Sequence, residues 1–313
     1  MSDYSRGKKV LLTGGSGFIG RHAIPFLLDM GYEVHAVFHA KEPVFARKEN
    51  LFWRRCDLLN SSEQKQLFAE IKPTHLLHFA WYAVPGKYWT SLENFRWVQA
   101  SLEVMANFAE HGGRRAVIAG TSAEYDWSYG YCSEKVTPLR PSTLYGTCKN
   151  SLHEMTRQFA RQTGLSYAWG RVFFVYGPYE YPERLVASVV CSLLKNQVAH
   201  CLHGNLIRDF LHVRDAASAF VSLLESSITG PVNIASGNPI TLKDVVNTIA
   251  GKLDKRESVR FGESPSPANE PKLLVAEVER LTNEVGWTPN YGLDQGLEQT
   301  IEWWKECLQV EDK

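Results

Sequence analysis

The chain has 313 residues, 44% of them hydrophobic, enough to build one large or two modest cores. Its 34 basic and 34 acidic residues cancel, which excludes a global field that would draw nucleic acid or an anionic membrane, so any recognition of phosphate must be local. No apolar run approaches the roughly 18 residues of a membrane span, and Met1 to Gly7 leads straight into an apolar segment, with no room for a signal peptide. The six cysteines, Cys56, Cys132, Cys148, Cys191, Cys201 and Cys307, show neither Cys-x-x-Cys nor framework spacing, so reduced thiols in a cytoplasmic protein are expected.

The apolar run Val10 to Leu12 and the amphipathic stretch Phe18 to Asp29 read as strand and helix, joined by Thr13-Gly14-Gly15-Ser16-Gly17. In the resulting Gly-x-x-Gly-x-x-Gly, Gly14 permits a tight turn, Gly17 lets the backbone approach a pyrophosphate, and Gly20 allows the helix to pack closely on the sheet. The helix N-terminus, with Phe18 and Ile19 in its first turn, supplies N–H donors and a positive dipole end, which together suit a nicotinamide dinucleotide. Strand signals follow at Glu33 to Phe38 and Leu51 to Cys56, a helix near Ser62 to Ile71, a strand at Thr74 to Phe79, and a long helix near Glu93 to Glu110. A fifth strand at Ala116 to Gly120 precedes a helix near Tyr145 to Arg161, a strand at Ser166 to Val172, and a seventh strand at Pro231 to Ala235 that returns to the sheet late. Such alternation demands parallel crossovers and predicts an α/β fold with a doubly wound parallel sheet. The predicted division is a dinucleotide domain over 1–175 that also takes about 206–240, and a smaller, interleaved domain over 176–205 and 241–313. Pro178 to Arg184 and Ser264 to Pro271 read as loops of the smaller part.

On the helix near Tyr145 to Arg161, Tyr145 and Lys149 stand four residues apart and so share a face. An ammonium beside the phenol favours the phenolate and draws the tyrosine toward working pH, as a general acid or base requires. The strand Ala116 to Gly120 runs directly into Thr121-Ser122, where a partner hydroxyl is expected, with Ser122 the first choice and Thr121 the reserve.

With the glycine motif and this hydroxyl/Tyr/Lys set stand Cys56-Asp57-Leu58, His78-Phe79-Ala80, Arg171-Val172-Phe173-Phe174-Val175-Tyr176-Gly177-Pro178 and Arg208-Asp209-Phe210-Leu211-His212-Val213-Arg214-Asp215. As an ordered set they resemble the extended short-chain dehydrogenase/reductases, in particular the branch that acts on nucleotide-activated sugars, and the resemblance covers nearly the whole chain. It implies a Rossmann domain holding the cofactor, with Leu58, Ala80 and Val172 along it and Asp57 near the adenine amine, and a smaller part binding a nucleotide-diphosphate sugar. It implies a catalytic role for Ser122, Tyr145 and Lys149, with Lys149 also on the nicotinamide ribose. It further implies a homodimer built on the helices near Glu93 to Glu110 and Tyr145 to Arg161.

An acidic side chain at the end of the second strand would bond the ribose of NAD and repel a 2′-phosphate. Phe38 holds that place, followed by His39 and Lys41, so NADP(H) is expected and NAD(H) is the alternative; a basic surface loop is the plainer explanation of the two cations. Relatives that eliminate water carry an Asp-Glu pair beside the hydroxyl where this chain has Ala123-Glu124, and relatives that epimerise and reduce in one site place a cysteine there. What the resemblance leaves is an NADPH-dependent reduction of the C4 ketone of a nucleotide-linked 4-keto-6-deoxyhexose. Tyr145 would protonate the alkoxide and Ser122 bond the same oxygen, while Glu124 would either orient a sugar hydroxyl or lie in solvent.

Two family positions depart: Phe174 replaces a common asparagine, and Ser266 stands where a second phosphate arginine is usual. Arg208 matches the remaining phosphate arginine and Arg184 is the candidate second. Trp81, in the aromatic run Trp81 to Trp89, would either cover the sugar or pack the loop. The His200-Cys201-Leu202-His203 cluster lacks the further ligands zinc needs, so no metal is expected; Cys148 reads as packing and Trp303-Trp304 as an anchor for the last helix. A nucleotide-sugar 4-epimerase with tightly bound NAD and a non-catalytic dinucleotide sensor are the competing readings; the retained Ser122, Tyr145 and Lys149 argue against the sensor.

Overall fold

The computed structural model describes residues 7–40, 43, 45, 48–262 and 270–311. In chain order the elements are β1 (Lys9–Thr13), α1 (Phe18–Asp29), β2 (Glu33–Phe38), β3 (Leu51–Arg55), α2 (Ser61–Ile71), β4 (His75–His78), α3 (Glu93–Glu110) and β5 (Arg115–Thr121). After a 3-10 turn over Ser122–Glu124 come β6 (Tyr131–Cys132), α4 (Leu144–Thr163), β7 (Ser166–Val172), β8 (Phe174–Tyr176) and α5 (Leu185–Leu194). Then follow β9 (Ala199–Cys201), β10 (Ile207–His212), α6 (Val213–Glu225), β11 (Gly230–Ile234) and β12 (Pro239–Thr241). The described chain closes with α7 (Leu242–Lys252), β13 (Val259–Phe261), β14 (Leu273–Ala276) and α8 (Leu293–Glu311).

Seven parallel strands form the large sheet in the order β11-β7-β5-β4-β1-β2-β3, the doubly wound arrangement that the alternation predicts. Both faces are covered, so consecutive residues of one strand serve different cores: Val10 and Leu12 pack with α1 and α6, while Leu11 packs with α2 and α3. A second sheet, β12-β10-β14-β6 with β8 beside β10, and the pair β13-β9 build the smaller part, whose own core joins α5, α7 and α8. The chain crosses between the two parts more often than the predicted boundaries allow. β6, from the first half, joins the small sheet; within 206–240, β10 belongs to the small sheet, whereas α6 packs on α1 and β11 edges the large sheet. These switches are short and lack a hydrophobic period of their own, so only the pairing partners reveal them.

α4, which carries Tyr145 and Lys149, is sharply bounded. The Thr143 hydroxyl accepts from the Gly146 N–H at 3.0 Å, and Gly164 ends the helix in the left-handed conformation, at φ 72°. Trp304 is buried in the small core, as an anchor should be, and Trp303 lies tilted against Tyr179, with ring centroids 4.6 Å apart. Among the described residues no helix is long and apolar enough to cross a membrane, and no three His, Cys, Asp or Glu side chains group as metal ligands.

Candidate active site

The turn after β1 owes its form to its glycines. Gly14 sits at φ 66°, where a Cβ would come within 2.9 Å of the Ala80 nitrogen, and a Cβ on Gly20 would lie 2.1 Å from the Gly14 carbonyl oxygen. Thr13 ties this turn to the end of β4: its hydroxyl is 2.7 Å from His78 Nδ1 and accepts the Ala80 N–H at 3.2 Å. No side chain caps α1, so its first N–H groups are left for an anion to accept. Phe18 and Ile19, in that first turn, line a cavity of about 550 Å³, which Val172 also borders. His39, Asp57 with Leu58, and Ala80 follow the ends of β2, β3 and β4, so the expected cofactor residues gather along the carboxyl edge of the sheet around the switch point. This cradle fits a dinucleotide.

Around the end of β2, Phe38 is buried against Trp53, and His39 is exposed with Nε2 4.0 Å from the Asp57 carboxylate. Lys41 and Ser266 lie outside the described residues.

The cavity reaches Tyr145, boxed by the rings of Tyr88 and Trp89 at 4.9 and 5.7 Å, with Trp127 stacked edge-on to Trp89. Thr121, the reserve residue, shares the cavity wall with Tyr145, and its side chain favours the charged form of the phenol. Ser122 also lines the cavity, and its carbonyl accepts from Trp127 Nε1. Lys149 donates to the Ala119 carbonyl at 2.9 Å, which turns it toward β5 as the four-residue spacing requires. Its expected effect on Tyr145 is not what the structure shows. Burial pushes the phenol above the ordinary tyrosine range, and burial drives the Lys149 ammonium down to about 7, with the Glu124 carboxylate opposing.

Glu124 neither meets a sugar hydroxyl nor lies in solvent. It is fully buried: one carboxylate oxygen accepts the Thr121 N–H at 2.8 Å and Trp169 Nε1 at 2.9 Å, and the other faces Arg171 Nε at 2.7 Å. Trp81 is turned onto Lys149 instead of into the cavity. Arg208 reaches the cavity under Phe174, but its donors are engaged by Glu270 at 2.9 Å and by the Pro271 carbonyl. Arg184 lines the cavity with Tyr88 and Tyr145, and its charge opposes the rise that burial imposes on the Tyr88 phenol. Trp127 and Glu270 are absent from the sequence-based site because nothing in their spacing marks them, and Arg171, though it opens one of the family motifs, has no role assigned by it; all three meet the site only through strand pairing and loop return.

A doubly wound sheet with a glycine turn at its switch point, and hydroxyl, tyrosine and lysine side chains gathered at the end of β5 and the start of α4, is the architecture of an extended short-chain dehydrogenase/reductase. The family model described as the NAD dependent epimerase/dehydratase family matches residues 10–235, and the chain belongs to that family. It is 24% identical to UDP-glucuronic acid decarboxylase 1 of Danio rerio, over 96% of this chain and 74% of that protein. It is also 24% identical to dTDP-D-glucose 4,6-dehydratase of Mus musculus, over 96% and 89% of the two chains. Among solved structures, UDP-glucose 4-epimerase of Thermus thermophilus in complex with NAD superposes with a TM-score of 0.83 at 25% identity, over 95% and 99% of the two chains.

Proposed function

We propose that the chain reduces the C4 ketone of a nucleotide-activated 4-keto-6-deoxyhexose, drawing on NADPH, as a step in deoxysugar biosynthesis. The carrying observation is the setting of Tyr145: a phenol kept protonated by burial, sharing the cavity wall with Thr121 and boxed by Tyr88 and Trp89. Glu270 is the one carboxylate among the described residues lining the cavity, and it is paired with Arg208. Elimination of water needs an acid for the departing hydroxyl, and this wall offers none beside Tyr145. Delivery of one proton to one alkoxide is what remains.

A bound nicotinamide dinucleotide supplies the hydride. Tyr145 gives its proton to the C4 oxygen, with the Thr121 and Ser122 hydroxyls in the same wall as its hydrogen-bonding partners there. Lys149 holds the nicotinamide ribose. The aromatic wall of Tyr88, Trp89 and Trp127 suits a C6 methyl group, and Arg184 and Arg208 serve the diphosphate, Arg208 by exchanging Glu270 for it. Phe38 and His39 support NADP. α3 and α4 pack together and expose Leu92, Phe95 and Met155, which supports a homodimer formed on that face.

The deciding experiment follows nicotinamide absorbance while purified protein meets 4-keto-6-deoxy sugar nucleotides, with NADPH and NADH supplied separately. Oxidation of NADPH by one of them is the expected result. A nucleotide-sugar 4-epimerase is the second reading, favoured by the NAD-bound epimerase that shares the fold. Interconversion of sugar epimers under retained NAD, with no net oxidation of either cofactor, would establish it instead.

A further inference from the structure

Glu124 and Arg171 form an ion pair at 2.7 Å with side chains 0% and 1% exposed, directly behind the cavity wall. A buried pair stabilises only when its remaining valences are met, and here they are. Arg171 Nη1 donates to the Tyr125 hydroxyl at 3.1 Å, Tyr125 in turn donates to Asn233 Oδ1 at 2.8 Å, and Nη2 lies 3.3 Å from His153 Nδ1. His153 stacks on Trp169, whose indole N–H forks to both oxygens of Glu124. Gly120 leaves the space for this arrangement, because a Cβ there would lie 2.0 Å from Trp169 Nε1 and 2.6 Å from Glu124 Oε1.

The network closes on the reacting groups from two sides. Glu124 accepts the Thr121 N–H while Thr121 Oγ1 accepts the Ala123 N–H, a reciprocal cap that fixes the end of β5 and its 3-10 turn. On the other side, Tyr145, Lys149 and His153 recur every four residues along one face of α4, so the contact of His153 with Arg171 sets that face against β5 and β7. The end of β5 that carries Thr121 and the face of α4 that carries Tyr145 are therefore held by two anchors of one buried ion pair.

Taking ketone reduction as the activity, we propose that Glu124 and Arg171 are positioning residues for the Thr121 and Tyr145 hydroxyl pair, and that Glu124 transfers no proton. The function of the carboxylate is to accept the Thr121 N–H, and the function of the guanidinium is to keep that carboxylate in place. A neutral acceptor replaces the first once the second is neutral too.

The test compares E124Q/R171M with E124A/R171M, both free of an unpaired buried charge, the first retaining an acceptor for Thr121 and the second lacking it. E124Q/R171M is expected to keep kcat within about threefold of the unmodified enzyme, whereas E124A/R171M loses at least about tenfold in kcat at unchanged KM. The Thr121 amide, followed by hydrogen exchange without substrate, exchanges at least about tenfold faster in the alanine variant only. Equal kcat in the two folded variants would overturn the proposal, as would a folded E124Q/R171M whose kcat falls by about a thousandfold, the mark of a lost proton-transfer group. If the unmodified enzyme oxidises no reduced cofactor with any 4-keto sugar, the ketone-reduction reading fails, and the exchange difference at Thr121 alone decides the positioning role.

Discussion

The indole of Trp81 lies over the Lys149 ammonium, 3.8 Å from nitrogen to ring centroid, and its own N–H is held by the Asn94 side chain at 2.9 Å. Asn94 is in turn buried and donates to the carbonyls of Tyr88 and Ser91, so the loop that walls the cavity also seats the ring. An ammonium over an indole gains about 0.5–2 kcal/mol, depending on desolvation. Trp81→Ala is expected to weaken dinucleotide binding about fivefold by releasing Lys149 from its seat, with a smaller loss for Trp81→Phe. Titration calorimetry checks this; an unchanged Kd in the alanine variant would remove Trp81 from the cofactor site.

Thr121 and Ser122 both line the cavity wall with Tyr145, and it is the Thr121 side chain that favours the charged form of its phenol. Thr121→Val should lower kcat at least about tenfold and Ser122→Ala by less, while Tyr145→Phe should cost about 100-fold or more with cofactor binding intact. Steady-state kinetics on the three variants would show the order, and a larger loss for Ser122→Ala would return the role to serine.

Glu180 is buried beside Arg184, and one carboxylate oxygen has no hydrogen-bond partner among the described residues. Burial raises its carboxyl from an ordinary 4.5 to about 8, despite N–H groups of Gly177 and Ala187 that favour the charged form. Between those values the folded protein binds more protons than the unfolded chain, so this contribution is fully present below the unfolded value and is lost as pH rises through the folded one. Glu180→Gln should therefore raise Tm by at least about 3 °C at pH 9 and leave it unchanged at about pH 3.5, below the unfolded value. Thermal unfolding at the two pH values is the check, and a gain at both would mean that packing, not titration, is responsible.

Gly20→Ala places a methyl group 2.1 Å from the Gly14 carbonyl oxygen, so α1 must move off the turn. Dinucleotide affinity is expected to fall at least about tenfold, because the N–H groups at the start of α1 leave the pyrophosphate. Fluorescence titration would measure it, with circular dichroism confirming the fold.

At the end of β2, His39 lies beside Asp57 with no acid at Phe38. His39→Asp should lower kcat/KM for NADPH about tenfold and spare NADH, since a carboxylate repels the 2′-phosphate and bonds a ribose hydroxyl. Parallel loss with both cofactors would place His39 outside the ribose site.

The large sheet was legible in the chain because its signals are local. Val10 to Leu12 is an apolar run and Glu33 to Phe38 and Ser166 to Val172 are largely apolar segments of strand length, the glycines mark the turn by their spacing, and Tyr145 and Lys149 declare a shared face by being four residues apart. Sequence by itself also placed the family, since several short motifs in a fixed order are specific as a set. What it left undecided were contacts between residues far apart in the chain. Glu124 finds Arg171 and Trp169 across 47 and 45 residues, which is a consequence of β5 pairing with β7, and neighbours in sequence carry no trace of it. Thr121 and Ser122 stand side by side with equivalent hydroxyls, and only the seating of α4 against the end of β5 sets how each stands to Tyr145. Periodicity specifies which face of an element is buried; the partner on that face is set by the sheet register and by how the helices close over it.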